Sequence, residues 1–162
     1  MRLERLHSLF RLPVGISDAW EFFSDPRNLA RITPASLGIE ITSAVPDRMH
    51  PGMIVTYTVR ALPGVRVSWV TEITHVVEPY LFVDEQRFGP YRFWHHQHHI
   101  REVDGGIEGT DIVHYALPFG VAGRILGGGL VRRSLENIFS FRKTFLEETF
   151  GRLPASRNGR TD

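Results

Sequence analysis

The sequence predicts an α+β domain in which a curved antiparallel sheet of about seven strands wraps around one long C-terminal helix, with two short helices after the first strand. Three observations carry that expectation. Residues 38–117 alternate apolar and polar side chains with period two in run after run. Pro63-Gly64, Glu78-Pro79, Gly89-Pro90 and Gly105-Gly106 punctuate those runs too closely for crossover helices to fit, so neighbouring strands should be antiparallel. Beyond Leu130 the apolar spacing changes to that of a helix.

The elements follow in order. Residues 2–12 alternate imperfectly and Pro13 ends them, which predicts a strand. Ser17 precedes Asp18-Ala19-Trp20-Glu21-Phe22-Phe23, where its hydroxyl would cap a short helix and Asp18 would favour the positive helix end. Asp25-Pro26 opens a second helical turn through Leu29 and Ile32, broken at Thr33-Pro34 because a residue before proline is pushed out of the helical region. Ile39 and Ile41 mark a short strand. Met53, Val55, Tyr57 and Val59 share one face of the next, and Val65, Val67, Trp69, Ile73 and Val77 one face of the strand after it. In the last segment Val131, Leu135, Ile138, Phe139, Phe145, Leu146 and Phe150 form the apolar stripe, while Arg132, Arg133, Glu136, Arg142, Lys143 and Glu147 are expected on a mixed solvated face. Gly127-Gly128-Gly129 should precede the long helix, leaving Phe119–Leu126 as a separate short helix or lid.

Size and composition limit the function classes. The 162 residues, 42% of them hydrophobic, suit a single domain over 1–151 with a flexible tail over 152–162. With no cysteine, disulfides, thiolate metal sites and thiol nucleophiles drop out. Nineteen basic residues against 18 acidic leave no field to attract a nucleic acid. Charged residues interrupt the first dozen positions, and no run reaches the roughly 20 apolar residues of a membrane span, so a soluble cytoplasmic protein without integral membrane association is expected. The Gly127–Gly129 run lacks the lysine and hydroxyl residue of a phosphate loop. Eleven phenylalanines point instead to a core or a cavity wall built largely of rings.

Polar residues inside the apolar pattern are the candidates for chemistry. In Trp94-His95-His96-Gln97-His98-His99-Ile100, Trp94 and Ile100 favour burial, so His96 and His98 should face inward with them while His95 and His99 face solvent. Two imidazoles at i and i+2 stand about 7 Å apart at their α-carbons, close enough to ligate one metal or act on one substrate. With a carboxylate such as Asp84 or Asp111 they would form a polar patch; without a legible third and fourth ligand, no metal and no cofactor are expected. Phe82, Asp84, Gln86 and Phe88 should share a face that could orient a carbonyl or hydroxyl of a ligand. Asp111, Val113 and Tyr115 should share another, where Tyr115 could satisfy its hydroxyl on a histidine. Tyr57 and Trp69 read as cavity wall. No spacing of nucleophile and base is legible; His96, His98, Asp111 and Tyr115 are the only catalytic candidates.

Several local marks together resemble the START-like superfamily, also called the helix-grip or Bet v 1-like fold, and within it the bacterial ligand-binding SRPBCC proteins. They are Pro26-Arg27-Asn28-Leu29 with Ile32-Thr33-Pro34, Asp84-Glu85-Gln86 before Gly89-Pro90-Tyr91, Trp94-x-His96-x-His98, Asp111 with Tyr115-x-Leu117-Pro118-Phe119-Gly120, and Phe139-x-x-Arg142. The resemblance covers residues 1–150 and implies an apolar cavity between sheet and helix for a lipid, polyketide or aromatic metabolite. The expected function is therefore binding, as carrier, sequestrant or sensor, of a small hydrophobic molecule. Two alternatives stay open: a cofactor-free cyclase, dehydratase or hydrolase using His96 or His98 as acid or base, and an accessory domain of an epimerase-like enzyme. A homodimer also stays open as an assembly.

Overall fold

The computed structural model describes residues 2–62, 65–118 and 120–154. Seven strands form one antiparallel sheet: β1 (Glu4–Leu12), β2 (Glu40–Ile41), β3 (Met53–Leu62), β4 (Val65–Val77), β5 (Leu81–Phe88), β6 (Phe93–Val103) and β7 (Gly106–Ala116). Their spatial order is β1-β7-β6-β5-β4-β3-β2, so the six strands β2 to β7 pair in chain order and the N-terminal strand closes one side. Helix α1 (Ile16–Ser24) and two single turns of 3₁₀ helix, Pro26–Asn28 and Ala35–Leu37, fill the connection from β1 to β2. Helix α2 (Gly120–Phe150) follows the sheet.

The start of α1 differs from the expectation. Gly15 is its N-cap, Ser17 lies inside the helix, and no side chain caps it. The next turn is capped as its sequence suggests, with the Asp25 carboxylate accepting from Arg27 N at 2.9 Å.

Helix α2 runs unbroken through Gly127–Gly129, so the expected separate helix or lid is not a distinct element over Gly120–Leu126; Phe119 lies outside the described residues. Packing of the helix's apolar stripe on the sheet overrides the weak helix propensity of the glycines. Gly151 ends the helix with φ +95°, a left-handed conformation glycine adopts without strain, and its N–H reaches Glu147 O at 3.0 Å. Of the expected tail, Leu153 N donates to Arg11 O at 3.4 Å. Residues 155–162, like the Pro63-Gly64 turn, lie outside the described residues.

Strand alternation sets the core. Leu6, Phe10 and Leu12 of β1 and Met53, Val55, Tyr57 and Val59 of β3 are buried. Phe10 lies opposite Gly109 of β7, where a Cβ would come 2.1 Å from the ring, so the close approach of strand and aromatic ring depends on glycine. One cluster packs α1 and the end of α2 onto the sheet through Trp20, Phe82, Ile107 and Leu146. A second joins the middle of α2 to β1, β6 and β7 through Leu6, Trp94, Val113, Tyr115, Leu135 and Phe139.

Two register shifts overturn expected faces. In β4, Ile73 pairs with Asp84 and His75 with Val83, so Thr74 is an extra residue. A bulge of this kind reverses the parity downstream. Val76 therefore packs against the core and Val77 is exposed. In β5, Val70 pairs with Phe88 but Thr71 with Gln86, so Arg87 is extra and Phe88 turns outward, 66% exposed. Val65, at the strand end, is exposed too.

Candidate functional site: a histidine-carboxylate cluster on a cavity wall

Between sheet and α2 lies a cavity of about 700 Å³. Tyr57, Trp69, Thr71, Ile73, Phe82 and Trp94 line it from the sheet, and Leu130, Val131, Leu135, Ile138 and Phe139 from the helix. Leu29, Ile32 and Asn28 of the β1–β2 connection complete one side, with the Asn28 amide donating to Phe22 O at 2.9 Å. Aromatic contacts fix the wall: Tyr57 stacks on Trp69 at 5.8 Å between centroids, and Trp69 meets Trp94 edge-on at 5.3 Å. The Tyr57 hydroxyl is 3.0 Å from Thr71 Oγ1, and burial pushes its pKa up.

The polar patch in this wall follows from register. Asp84 of β5 lies opposite His96 of β6, and Asp111 of β7 lies opposite His98. The His-x-His pair on the central strand is thus flanked by one carboxylate from each neighbouring strand, and each carboxylate is diagonal to the second histidine. His96 Nε2 and His98 Nδ1 lie 2.9 and 3.1 Å from Asp111 Oδ1. On the other side, His98 Nε2 and His96 Nδ1 lie 2.7 and 3.3 Å from Asp84 Oδ2. The two rings sit 3.7 Å apart between centroids, and Phe82 stacks on His98 at 3.9 Å. Arg142 reaches down from α2, donating to Asp111 Oδ1 at 3.1 Å and covering the Phe139 ring at 4.9 Å. Trp94 Nε1 donates to Asp84 Oδ1 at 3.3 Å.

Burial opposes every charge here, and the neighbours decide which survive. Burial favours neutral Asp111, but Arg142 and the two histidines outweigh it and hold the carboxyl well below its usual range. Asp84 is lowered in the same sense by His96 and His98. Burial and the nearby His98 push His96 down to about 4, against the pull of Asp84 and Asp111. For His98 the hydrogen bonds to Asp111 and Asp84 outweigh burial and raise it. The cluster thus sets two lowered carboxyls and one arginine around two imidazoles that the same surroundings shift in opposite directions, His96 down and His98 up. Among the described residues Asp84, His96 and His98 also form a set of metal-ligating groups, each offering one atom, with these atoms within 4.8 Å of one another.

Of the residues singled out in the sequence, Tyr57, Trp69, Phe82, Asp84, Trp94, His96 and His98 line the cavity. Asp111 is 2% exposed behind the histidines, and Val113 and Tyr115 are buried in the second core cluster. Tyr115 pairs across the strands with Trp94 rather than with a histidine and packs against Tyr91 at 5.9 Å. No hydrogen bond joins it to His96 or His98 among the described residues; it lies two positions along β7 from Val113, the partner of His96. Gln86 and Phe88 are not in the lining. Gln86 instead closes the β5–β6 turn, donating to Tyr91 O at 2.7 Å and accepting from Tyr91 N at 3.2 Å. Arg142 corrects the expectation of a solvated face, being 6% exposed. Leu135, Phe139, Arg142 and Leu146 follow one another at helical spacing, and that position was the available signal for its inward direction.

No helix among the described residues is long and apolar enough to cross a membrane. No family model matches the chain, and no curated protein matches it. Solved structures do. The protein Ms6760 from Mycobacterium smegmatis is 21% identical, with a TM-score of 0.63 over 92% of this chain and 98% of that one. The Zhui aromatase/cyclase from Streptomyces sp. R1128 is 10% identical, with a TM-score of 0.68 over 91% and 93%. A nucleoside-diphosphate sugar epimerase from Corynebacterium glutamicum is 20% identical, with a TM-score of 0.62 over 88% of this chain but only 28% of its own. Strand order, the long closing helix and these likenesses agree that the chain has the helix-grip fold of the Bet v 1-like, START-like proteins.

Proposed function

We propose that the chain binds one small hydrophobic molecule, such as a lipid, polyketide or aromatic metabolite, in the cavity between sheet and α2. The observation that carries this reading is the cavity itself: about 700 Å³, walled mostly by aromatic and aliphatic side chains and carrying the histidine–carboxylate cluster. Pockets of about 300–1,000 Å³ with that make-up enclose a single drug-sized ligand. Affinity would come from apolar surface removed from water, at about 25 cal/mol per Å². Orientation would come from Asp84, His98 and two further donors on residues that line the cavity: Trp69 Nε1 and Arg142 Nε are buried with no hydrogen-bond partner among the described residues. A ligand carbonyl or hydroxyl that meets them gains what a purely apolar competitor leaves unpaired.

Native mass spectrometry of protein purified from its host, followed by organic extraction, tests the reading. A stoichiometric apolar molecule recovered unchanged supports it. Failure to retain any such molecule, together with failure to take up a fluorescent apolar probe such as anilinonaphthalene sulfonate, overturns it.

One observation favours a second reading, catalysis. Burial shifts His96 down to about 4 while hydrogen bonds to Asp111 and Asp84 shift His98 up, and both face the same cavity, a separation that acid–base pairs exploit. Conversion of the extracted molecule by the wild-type protein, lost in His96→Ala, would move the assignment from carrier to enzyme.

A further inference from the structure

Seen from Asp84, the cluster has an unusual arrangement of lone pairs. Asp111 is a carboxylate and can only accept, so the ring atoms that face it, His96 Nε2 and His98 Nδ1, carry hydrogens. With those tautomers set, the opposite atoms of the neutral rings, His96 Nδ1 and His98 Nε2, would turn lone pairs toward the same oxygen, Asp84 Oδ2. Three electron-rich atoms from three side chains thus converge on one spot at the cavity wall. Only something positive placed among them makes the arrangement favourable. One proton serves one of the two links; a cation serves all three atoms.

We propose that Asp84 Oδ2, His96 Nδ1 and His98 Nε2 are the protein ligands of a divalent first-row transition ion whose remaining coordination positions open into the cavity. The spacing fits. Ligands about 2.1 Å from such an ion are about 3.4 Å apart at a tetrahedral angle and about 3.0 Å apart at a right angle. The two nitrogens stand 2.7 and 3.3 Å from the carboxylate oxygen, and all three atoms lie within 4.8 Å of one another, so side-chain adjustment can bring them around one ion. Ligand type fits too: two imidazoles and one carboxylate suit the zinc-to-iron part of the series rather than magnesium or calcium.

Asp111 and Arg142 supply the surroundings that metal sites use. Histidines bound to a metal donate their other ring N–H to a carboxylate or carbonyl, which holds the ring and raises its basicity. Here one buried carboxylate does this for both rings, and Arg142 anchors it at 3.1 Å. The sequence expectation of no metal rested on the lack of legible third and fourth ligands. Asp84 provides the third, through its place opposite His96.

The proposal does not depend on what fills the rest of the cavity, so the test uses protein stripped of metal and of extractable organic molecules. Titration with Co²⁺ should give one equivalent of visible ligand-field absorption, removed by competing Zn²⁺. His96→Ala and His98→Ala should each weaken binding by more than about 100-fold, beyond the 10- to 100-fold typical of losing an outer partner. His95→Ala and His99→Ala, on the other face of β6, should leave it unchanged. Since a buried substitution can also loosen the fold, the wild-type protein gives an independent readout: imidazole ¹⁵N resonances on adding Zn²⁺. His96 Nδ1 and His98 Nε2 should shift, while His96 Nε2 and His98 Nδ1 stay protonated. Absence of stoichiometric binding by the wild type, binding that survives both inward substitutions, or shifts at other histidines would overturn the assignment. The apolar-ligand reading would stand regardless.

Discussion

Replacing Asp111 with asparagine keeps the shape of the side chain and removes its charge, which isolates what the anion does. Three donors point at Oδ1: His96 Nε2 at 2.9 Å, His98 Nδ1 at 3.1 Å and Arg142 Nη1 at 3.1 Å. An amide oxygen can still accept, but the guanidinium of Arg142 would lose its anionic partner in a site only 6% exposed. Removing one partner of a buried ion pair costs about 3–5 kcal/mol, mostly the penalty of the stranded charge. For a chain of this size that corresponds to a melting temperature lower by about 6–20 °C, at about 2–4 °C per kcal/mol. Urea denaturation of Asp111→Asn should therefore show a lower midpoint with an unchanged slope. The double variant Asp111→Asn with Arg142→Met removes the stranded charge and should recover most of the loss, a coupling that a double-mutant cycle measures directly. A single-variant loss under about 1 kcal/mol, or a double variant no more stable than Asp111→Asn, would refute the reasoning that Arg142 is held in place by this carboxylate.

Two further outcomes follow from the packing. Phe82, 5% exposed and stacked on His98, should cost about 3–5 kcal/mol on truncation to alanine, whereas Phe88→Ala should stay within about 0.5 kcal/mol; comparable losses in urea melts would contradict the outward turn of Phe88. Glu108 is clamped by Arg11 at 2.7 Å and Arg101 at 2.7 Å, and these bonds outweigh burial and hold its carboxyl below the ordinary value of 4.5. A folded-state pKa below the unfolded one contributes stability that is present above about pH 4.5 and lost as pH falls through the folded value. The advantage of wild type over Glu108→Gln should thus be full at neutral pH and shrink on acidification; an advantage that grows instead would show the sign to be wrong.

How far the sequence discloses this fold depends on whether a signal is local. In β3, Met53 to Val59 alternate without interruption, and burial follows the alternation residue by residue. In β4 and β5 the same rule fails beyond Thr74 and Arg87, because nothing in a single strand announces the extra residue that its neighbour's register requires. Val77 and Phe88 are misplaced for that reason. The inward direction of His96 and His98 is readable from Trp94 and Ile100 at the ends of the same face. Their partners are another matter, since Asp84 and Asp111 come from strands on either side and meet them only through pairing register. Arg142 is hidden by chemistry rather than by distance: a charged residue on a helix reads as solvated until the buried anion it neutralises is known.

The three consecutive glycines give α2 a gradient of strength along its length. Each lowers the helical preference by about 1 kcal/mol relative to alanine, and additional Cβ atoms at Gly127 and Gly129 would touch nothing within 4 Å. Gly127 borders the cavity, while Leu135, Phe139 and Leu146 further along are locked into the core. The helix is therefore intrinsically weakest at Gly127–Gly129 and most firmly held from Leu135 onward. Alanine at Gly127 or Gly129 should strengthen that turn without adding a contact, and the hydrogen exchange of its amides should slow in step.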